Sequence, residues 1–184
     1  MGGRGDPVRV AVTGTPGTGK TTATALQSTD LDVVHLNAVI EAEGLTAGTD
    51  EARGSWIADL DATSEWLDGR DDVLIESHLA HLVDADRVAV LRCRPDELER
   101  RLLERGASPA KAAENAEAEA IDLVLVEAIK RHGEGHVYEI DTTDATPDEV
   151  ARAIEAVVAG TRRPSAGTVS FVDYLDVDGG VEGS

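Results

Sequence analysis

Near the start of the chain, Gly14-Thr15-Pro16-Gly17-Thr18-Gly19-Lys20-Thr21 runs as G-x-x-x-x-G-K-[ST] without a gap. Glycines in such a loop let backbone N–H groups converge on anionic oxygens, and Lys20 adds a point charge across a nucleotide's β- and γ-phosphates. Thr21 offers a hydroxyl to Mg2+. A helix beginning there directs its positive end at the phosphates. An apolar run, Val8 to Thr13, precedes the loop and helix-forming residues follow it. That context separates a phosphate loop from a glycine-rich turn with an incidental lysine. The implied cofactors are ATP and Mg2+. The acceptor of the phosphoryl group stays open between water, a nucleoside monophosphate and a metabolite.

Such chemistry needs a second acidic group at the end of a neighbouring strand to organise the Mg2+ hydration shell. Glu76 closes the apolar run Val73-Leu74-Ile75 and is placed for it. The alternative is a solvated strand end. Ser77 and His78 follow, and His78 is positioned to reach the γ-phosphate or to orient the attacking group. Otherwise it is a loop histidine satisfied by a backbone carbonyl. His81 reads as structural or exposed. The transferred group also needs positive charge on its far side, usually arginine. Arg92 and Arg94 end one strand, while Arg100, Arg101 and Arg105 lie on the next helix. Arg101 and Arg105 share a helical face, and Arg105, last before Gly106, is the candidate mobile cation.

The elements that must carry these groups follow from periodicity. Strands are expected at 8–13, 32–36, 72–76, 87–92 and 136–140. Helices are expected at 19–27, 55–67 and 95–104, over a long stretch from Pro109 to about Arg131, and at 147–158. Strands alternating with helices predict an α/β fold, a five-stranded parallel doubly wound sheet in a three-layer phosphate-loop architecture. Residues 37–55 form an insertion, and a turn at 105–109 separates two helices. The core spans 1–161, and 162–184 reads as a tail without helix pattern, carrying one sticky segment, Val169 to Leu175.

The chain has 184 residues, 36 acidic against 17 basic, a net charge of −19, and one cysteine, Cys93. No apolar run approaches the ~20 residues that span a bilayer, so no membrane partner is expected. Before the first strand no secretory signal is visible, and Asp6 stands where a myristoylation sequence would want Ser or Thr. A cytoplasmic location follows by default. The acid is scattered, lysine is scarce and aromatic residues are few. This composition fits a salt-loving archaeal cytoplasm, where high ionic strength screens self-repulsion; the alternative is an acidic interaction surface. No basic stripe suggests a direct nucleic-acid site.

Four segments, in order and spacing, resemble the small atypical adenylate kinases. They are GTPGTGKTT, the strand-end Glu76-Ser77-His78, LRCRPDELERRLLERG and ENAEAEAIDLVLVEA. Eukaryotic members of that family include the coilin-interacting nuclear ATPase and its yeast counterpart in ribosome assembly. The resemblance covers roughly residues 8–160. It implies a phosphate-loop kinase fold with a monophosphate-binding arm at about 37–55 and a short lid at about 104–115. It also implies that Gly17, Gly19, Lys20, Thr21 and Thr22 bind ATP and that Arg105 covers it. Adenylate kinase activity joined to ATPase activity is implied, as is a role in maturation of small-subunit ribosomal RNA beside a platform ribosomal protein. The chain departs from the family in having Glu76 where Asp is usual. In its arm, Arg53 is the only basic residue between Asn37 and Leu67.

Three functions remain in view. The leading one is an adenylate-type nucleoside monophosphate kinase with intrinsic ATPase activity, in which Lys20 and Arg105 stabilise the transferring phosphoryl, Thr21 and Glu76 hold Mg2+ and His78 positions the acceptor. The second is an ATP-switched assembly factor binding a basic ribosomal protein. The third is a small-metabolite kinase of shikimate-kinase type.

Overall fold

The computed structural model describes residues 6–177; the reading of Met1 to Gly5 and the last seven positions of the expected tail lie outside the described residues. Five strands form one parallel sheet in the order β2-β5-β1-β6-β7. They are β1 (Arg9–Thr13), β2 (Asp32–His35), β5 (Val73–Glu76), β6 (Arg87–Arg92) and β7 (Val137–Asp141). Helices α1 (Lys20–Leu26), α2 (Leu36–Glu43), α3 (Leu60–Leu67), α4 (Pro95–Glu104), α5 (Pro109–Ala120), α6 (Leu123–His132), α7 (Pro147–Val158) and α8 (Asp173–Val177) accompany it. A two-stranded hairpin, β3 (Thr46–Asp50) with β4 (Ser55–Ala58), stands apart from the main sheet.

Strand residues alternate between two cores because successive side chains of a strand point to opposite faces. Ala11, Val73, Ile75, Val88, Val90 and Val137 pack with Leu36, Ile40, Leu67 and Leu125 on one face. Val10, Val12, Leu74, Ala89, Leu91 and Ile140 pack with Ala23, Val150, Ile154 and Val157 on the other. A smaller cluster of Cys93, Leu98, Leu102 and Ala112 joins α4 to α5. Burial there pushes the Cys93 thiol up to about 11, so it stays protonated. Among the described residues no helix is long and apolar enough to cross a membrane.

Three elements differ from the periodicity reading. The expected helix at 55–67 begins only at Leu60, where the Asp59 carboxylate caps it by accepting from Ala62 N. Ser55 to Ala58 instead pair antiparallel with β3, since Trp56 and Ile57 suit a pleated strand. The long helix from Pro109 breaks at Asp122, whose φ is +58°. The left-handed turn lets the Asp122 carboxylate reach the Arg92 guanidinium, and Asp tolerates that conformation better than most residues. The segment after Arg162 is held to β7: Ser165 N donates to Val137 O at 3.0 Å and Thr168 N to a Glu139 carboxylate oxygen at 2.7 Å. It ends in the short helix α8.

Candidate functional site

β1 is the central strand, with β5 and β6 on either side, so the loop after Thr13 emerges where the sheet's winding reverses. The loop is moulded onto its neighbours. Gly14, at φ +146°, has room for no side chain, because a Cβ would lie 2.5 Å from Leu91 O. Gly17, at φ +94°, would place one 2.9 Å from a Leu98 methyl. Lys20 opens α1 and is buried, its Nζ donating to Gly14 O at 2.8 Å and Thr15 O at 3.1 Å. Burial pulls its pKa down to about 8, against the Glu76 and Glu119 carboxylates that favour the charge. The Thr15 hydroxyl donates to Glu119 Oε2 at 2.6 Å, tying the loop to α5.

Glu76 ends β5 in register with Val12 of β1 and His35 of β2. Its Oε1 accepts from the Thr21 hydroxyl at 3.3 Å, and its Oε2 lies 2.9 Å from His35 Nδ1. Two residues on, His78 Nδ1 sits 3.3 Å from the side-chain nitrogen of Asn37. Burial, reinforced by Lys20, lowers the His78 pKa to about 4, so the ring is neutral near pH 7. His81 is structural, bridging the Thr13 hydroxyl and Glu127 at 2.8 Å each.

The arginines divide by role. Arg92 is fully buried, donating to Glu119 at 2.7 Å and Glu139 at 2.6 Å, and to Asp122. Arg94 and Arg100 pair with Asp96, and with Glu97 and Glu104, on the surface. Arg101 bonds Glu97 and the carbonyls of Thr142 and Thr143. Arg105 is exposed at the end of α4, and its guanidinium has no hydrogen-bond or ion-pair partner among the described residues.

A cavity of about 200 Å³ is lined by Gly17, Gly19, Lys20, Thr21, Thr22, Glu76, His78 and Arg105, with Pro16 and Asn37. Of the residues the sequence reading places at the nucleotide, Gly14 does not line it, its carbonyl instead accepting from Lys20 Nζ, and neither do the weighed arginines Arg92, Arg94, Arg100 and Arg101. A second cavity, about 330 Å³, continues past Gly17, Thr22, Arg101 and Arg105 to Thr142 and Val150. A third, about 410 Å³, lies under the hairpin between Arg53, Trp56, Ile57, Leu79 and Leu82, and His78 lines it too. His78 therefore stands between the phosphate-loop cavity and the hairpin cavity. Arg53, at the wall of the third cavity, pairs with Glu114 of α5 at 2.7 Å.

Four residues around the loop carried no signal in the linear sequence: His35, Asn37, Thr15 and Glu119. His35 and Asn37 sit 41 positions before their partners Glu76 and His78, and Glu119 sits 104 after Thr15. Only the parallel order of strands could have pointed to His35, which ends β2 as Glu76 ends β5.

Comparison with known proteins bears on the family and the fold. The sequence profile of the AAA domain family matches residues 10–122. A relative from Natronomonas pharaonis named "Putative adenylate kinase" is 66% identical over 91% of this chain and 100% of its own length. One of the same name from Halobacterium salinarum is 60% identical over 91% of this chain and 100% of its own. A shikimate kinase structure from Bacteroides thetaiotaomicron, 15% identical, superposes with a TM-score of 0.53 over 83% of this chain and 99% of that one. At that identity the likeness concerns the fold alone.

Proposed function

The chain belongs to the AAA domain family, and on that premise we propose that it is an adenylate-type nucleoside monophosphate kinase, moving the γ-phosphoryl group of ATP to AMP to give two ADP. One observation carries the reading: the phosphate-loop cavity and the hairpin cavity meet at His78. A second substrate pocket abutting the reacting end of the nucleotide is what transfer needs and hydrolysis does not. The hairpin cavity has an aromatic wall in Trp56 and one cation, Arg53, suited to a base and its phosphate.

In this reading the backbone of the loop and Lys20 bind the β- and γ-phosphates, and Arg105 swings onto them from the end of α4. Arg105 is free to do so because nothing described holds its guanidinium. Mg2+ takes hard oxygen ligands and keeps several waters. The Thr21 hydroxyl and the Glu76 carboxylate, 3.3 Å apart, fit that demand. When bound, the ion would offset phosphate charge, while His35 keeps the Glu76 carboxylate turned toward Thr21. The cavity beyond Arg101, bounded by Thr142 and Val150, is proposed for the nucleoside of ATP. Slow hydrolysis in the absence of AMP belongs to the same proposal, as does a site residue set of Gly14, Gly17, Gly19, Lys20, Thr21, Thr22, Glu76, His78 and Arg105.

Phosphorus NMR on the protein with Mg-ATP, with and without AMP, in high KCl tests it. The expected result is ADP growing from both nucleotides, abolished by Lys20→Ala. Phosphate release that ignores AMP would refute transfer. A second reading, an ATP-switched assembly factor for a basic small-subunit ribosomal protein, draws on the net charge of −19, since an acidic surface attracts a basic partner. Co-purification with such a protein, lost in Lys20→Ala, is its test.

A further inference from the structure

His78, at the boundary of two cavities, has one ring nitrogen engaged and one free. Its Nδ1 meets Asn37 Nδ2 at 3.3 Å, and its Nε2 has no partner among the described residues. Which nitrogen carries the proton decides whether the ring offers the site a donor or an acceptor. The far end of Asn37 answers this. Leu79 N–H donates to Ser77 Oγ at 2.9 Å, which leaves the hydroxyl its own proton to give. It gives it to Asn37 at 2.6 Å. That separation is ordinary for O–H···O and shorter than the range of about 2.7–3.2 Å for N–H···O. The amide oxygen of Asn37 thus faces Ser77 and its NH2 faces His78. An amide NH2 only donates, so Nδ1 is the acceptor and the proton of the ring sits on Nε2.

We propose that Asn37 is a positioning residue that locks His78 in its Nε2–H tautomer, so that His78 meets the reacting phosphoryl group as a hydrogen-bond donor and not as a general base. The inference rests on the reading of this site as a phosphoryl-transfer centre. A fixed donor aimed at oxygens that gain negative charge stabilises them without reorganising. Phosphoryl transfer leaves little proton chemistry for a base to do. Asn37 lies on α2, at the start of the segment that carries the hairpin, so the lock comes from the acceptor side of the site.

NMR on the full chain with isotope-labelled histidine tests the lock, because the two neutral tautomers give distinct nitrogen shifts and proton correlations. The His78 signals are assigned by their loss in His78→Gln. Wild type is expected to show Nε2–H. In Asn37→Asp an acceptor-only carboxylate faces Nδ1, so the proton is expected to move there. Asn37→Ala, which adds no charge, is expected to give a mixture. Transfer to AMP should fall on the order of 10²-fold in kcat in Asn37→Asp, with a smaller fall in Asn37→Ala and an unchanged KM for ATP in Asn37→Ala. A wild-type ring protonated on Nδ1, or an Asn37→Asp variant with the tautomer unmoved, overturns the lock. A moved tautomer with full transfer activity overturns the role. If the wild-type protein transfers nothing to AMP, the kinase reading fails, and the spectra by themselves still decide the lock.

Discussion

Replacing Arg92 by Met should test how the phosphate loop is held. The Arg92 guanidinium is 1% exposed and touches three carboxylates, two of them fully buried: Glu119 at 2.7 Å and Glu139 at 2.6 Å, with Asp122 as the third. Burial works against its charge, yet Glu119 and Asp122 outweigh that and hold its pKa above the ordinary value. Met fills the aliphatic stem but leaves two buried carboxylates uncompensated. Breaking such a pair from one side costs about 3–5 kcal/mol, a large share of the ~5–15 kcal/mol available to a domain. The melting temperature should fall by roughly 6–20 °C. At about 1 M salt and above, the Debye length is ~3 Å, which screens surface acids and leaves the interior untouched. Denaturant unfolding of wild type and Arg92→Met should therefore show the same difference in low and in high KCl. The variant Arg92→Met/Glu119→Gln/Glu139→Gln, in which neither fully buried carboxylate is stranded and only the part-exposed Asp122 loses its partner, should regain much of the loss. A cost below ~1 kcal/mol, or one that vanishes in KCl, would refute the reasoning. The consequence reaches function, because Glu119 also holds Thr15 of the loop.

Gly17→Ala puts a Cβ at φ +94° and 2.9 Å from Leu98; it should destabilise the fold by about 1–3 kcal/mol and weaken ATP binding, read by urea unfolding and calorimetric titration. In the nucleotide-free protein the Lys20 pKa is lowered from 10.5 to about 8, so between those values the unfolded chain binds more protons than the folded one. Stability should then rise with pH from about 8 to 10.5, and the rise should be smaller in Lys20→Met, measured by chemical unfolding across that window. Arg53→Ala should raise KM for AMP and leave KM for ATP unchanged in a coupled ADP assay, since Arg53 lines the hairpin cavity and not the phosphate-loop cavity. The same variant should cost under ~1 kcal/mol of stability, because its bridge to Glu114 is exposed on both sides.

Local chemistry alone carried most of the scaffold. Unbroken apolar runs such as Val73-Leu74-Ile75 exist because parallel strands are covered on both faces, so the five strands of the main sheet and their parallel direction were legible, while their order was not. The phosphate loop was legible for a similar reason: its function depends on residue types at fixed spacing within one turn, and Gly14 and Gly17 occupy conformations and spaces that other residues fit badly. Glu76 and His78 could be singled out because a strand end is a local feature.

Elsewhere long-range partners decided. Ser55 to Ala58 have a partner strand in Thr46 to Asp50, and that pairing overrode the helical pattern. Asp122 breaks the long helix because Arg92, thirty positions away, draws its carboxylate inward. Arg92 looked like any strand-end arginine, yet burial among carboxylates makes it part of the interior, while the guanidinium of Arg105, on the surface, has no hydrogen-bond or ion-pair partner among the described residues. The neighbours of the candidate site show the same division. His35, Asn37 and Glu119 meet Glu76, His78 and Thr15 only once parallel strands bring their ends to one edge of the sheet. The sequence by itself determined where the phosphate loop and its neighbouring strand-end acid lie; the tertiary structure decided which groups contact them, because those contacts join positions between 41 and 104 residues apart.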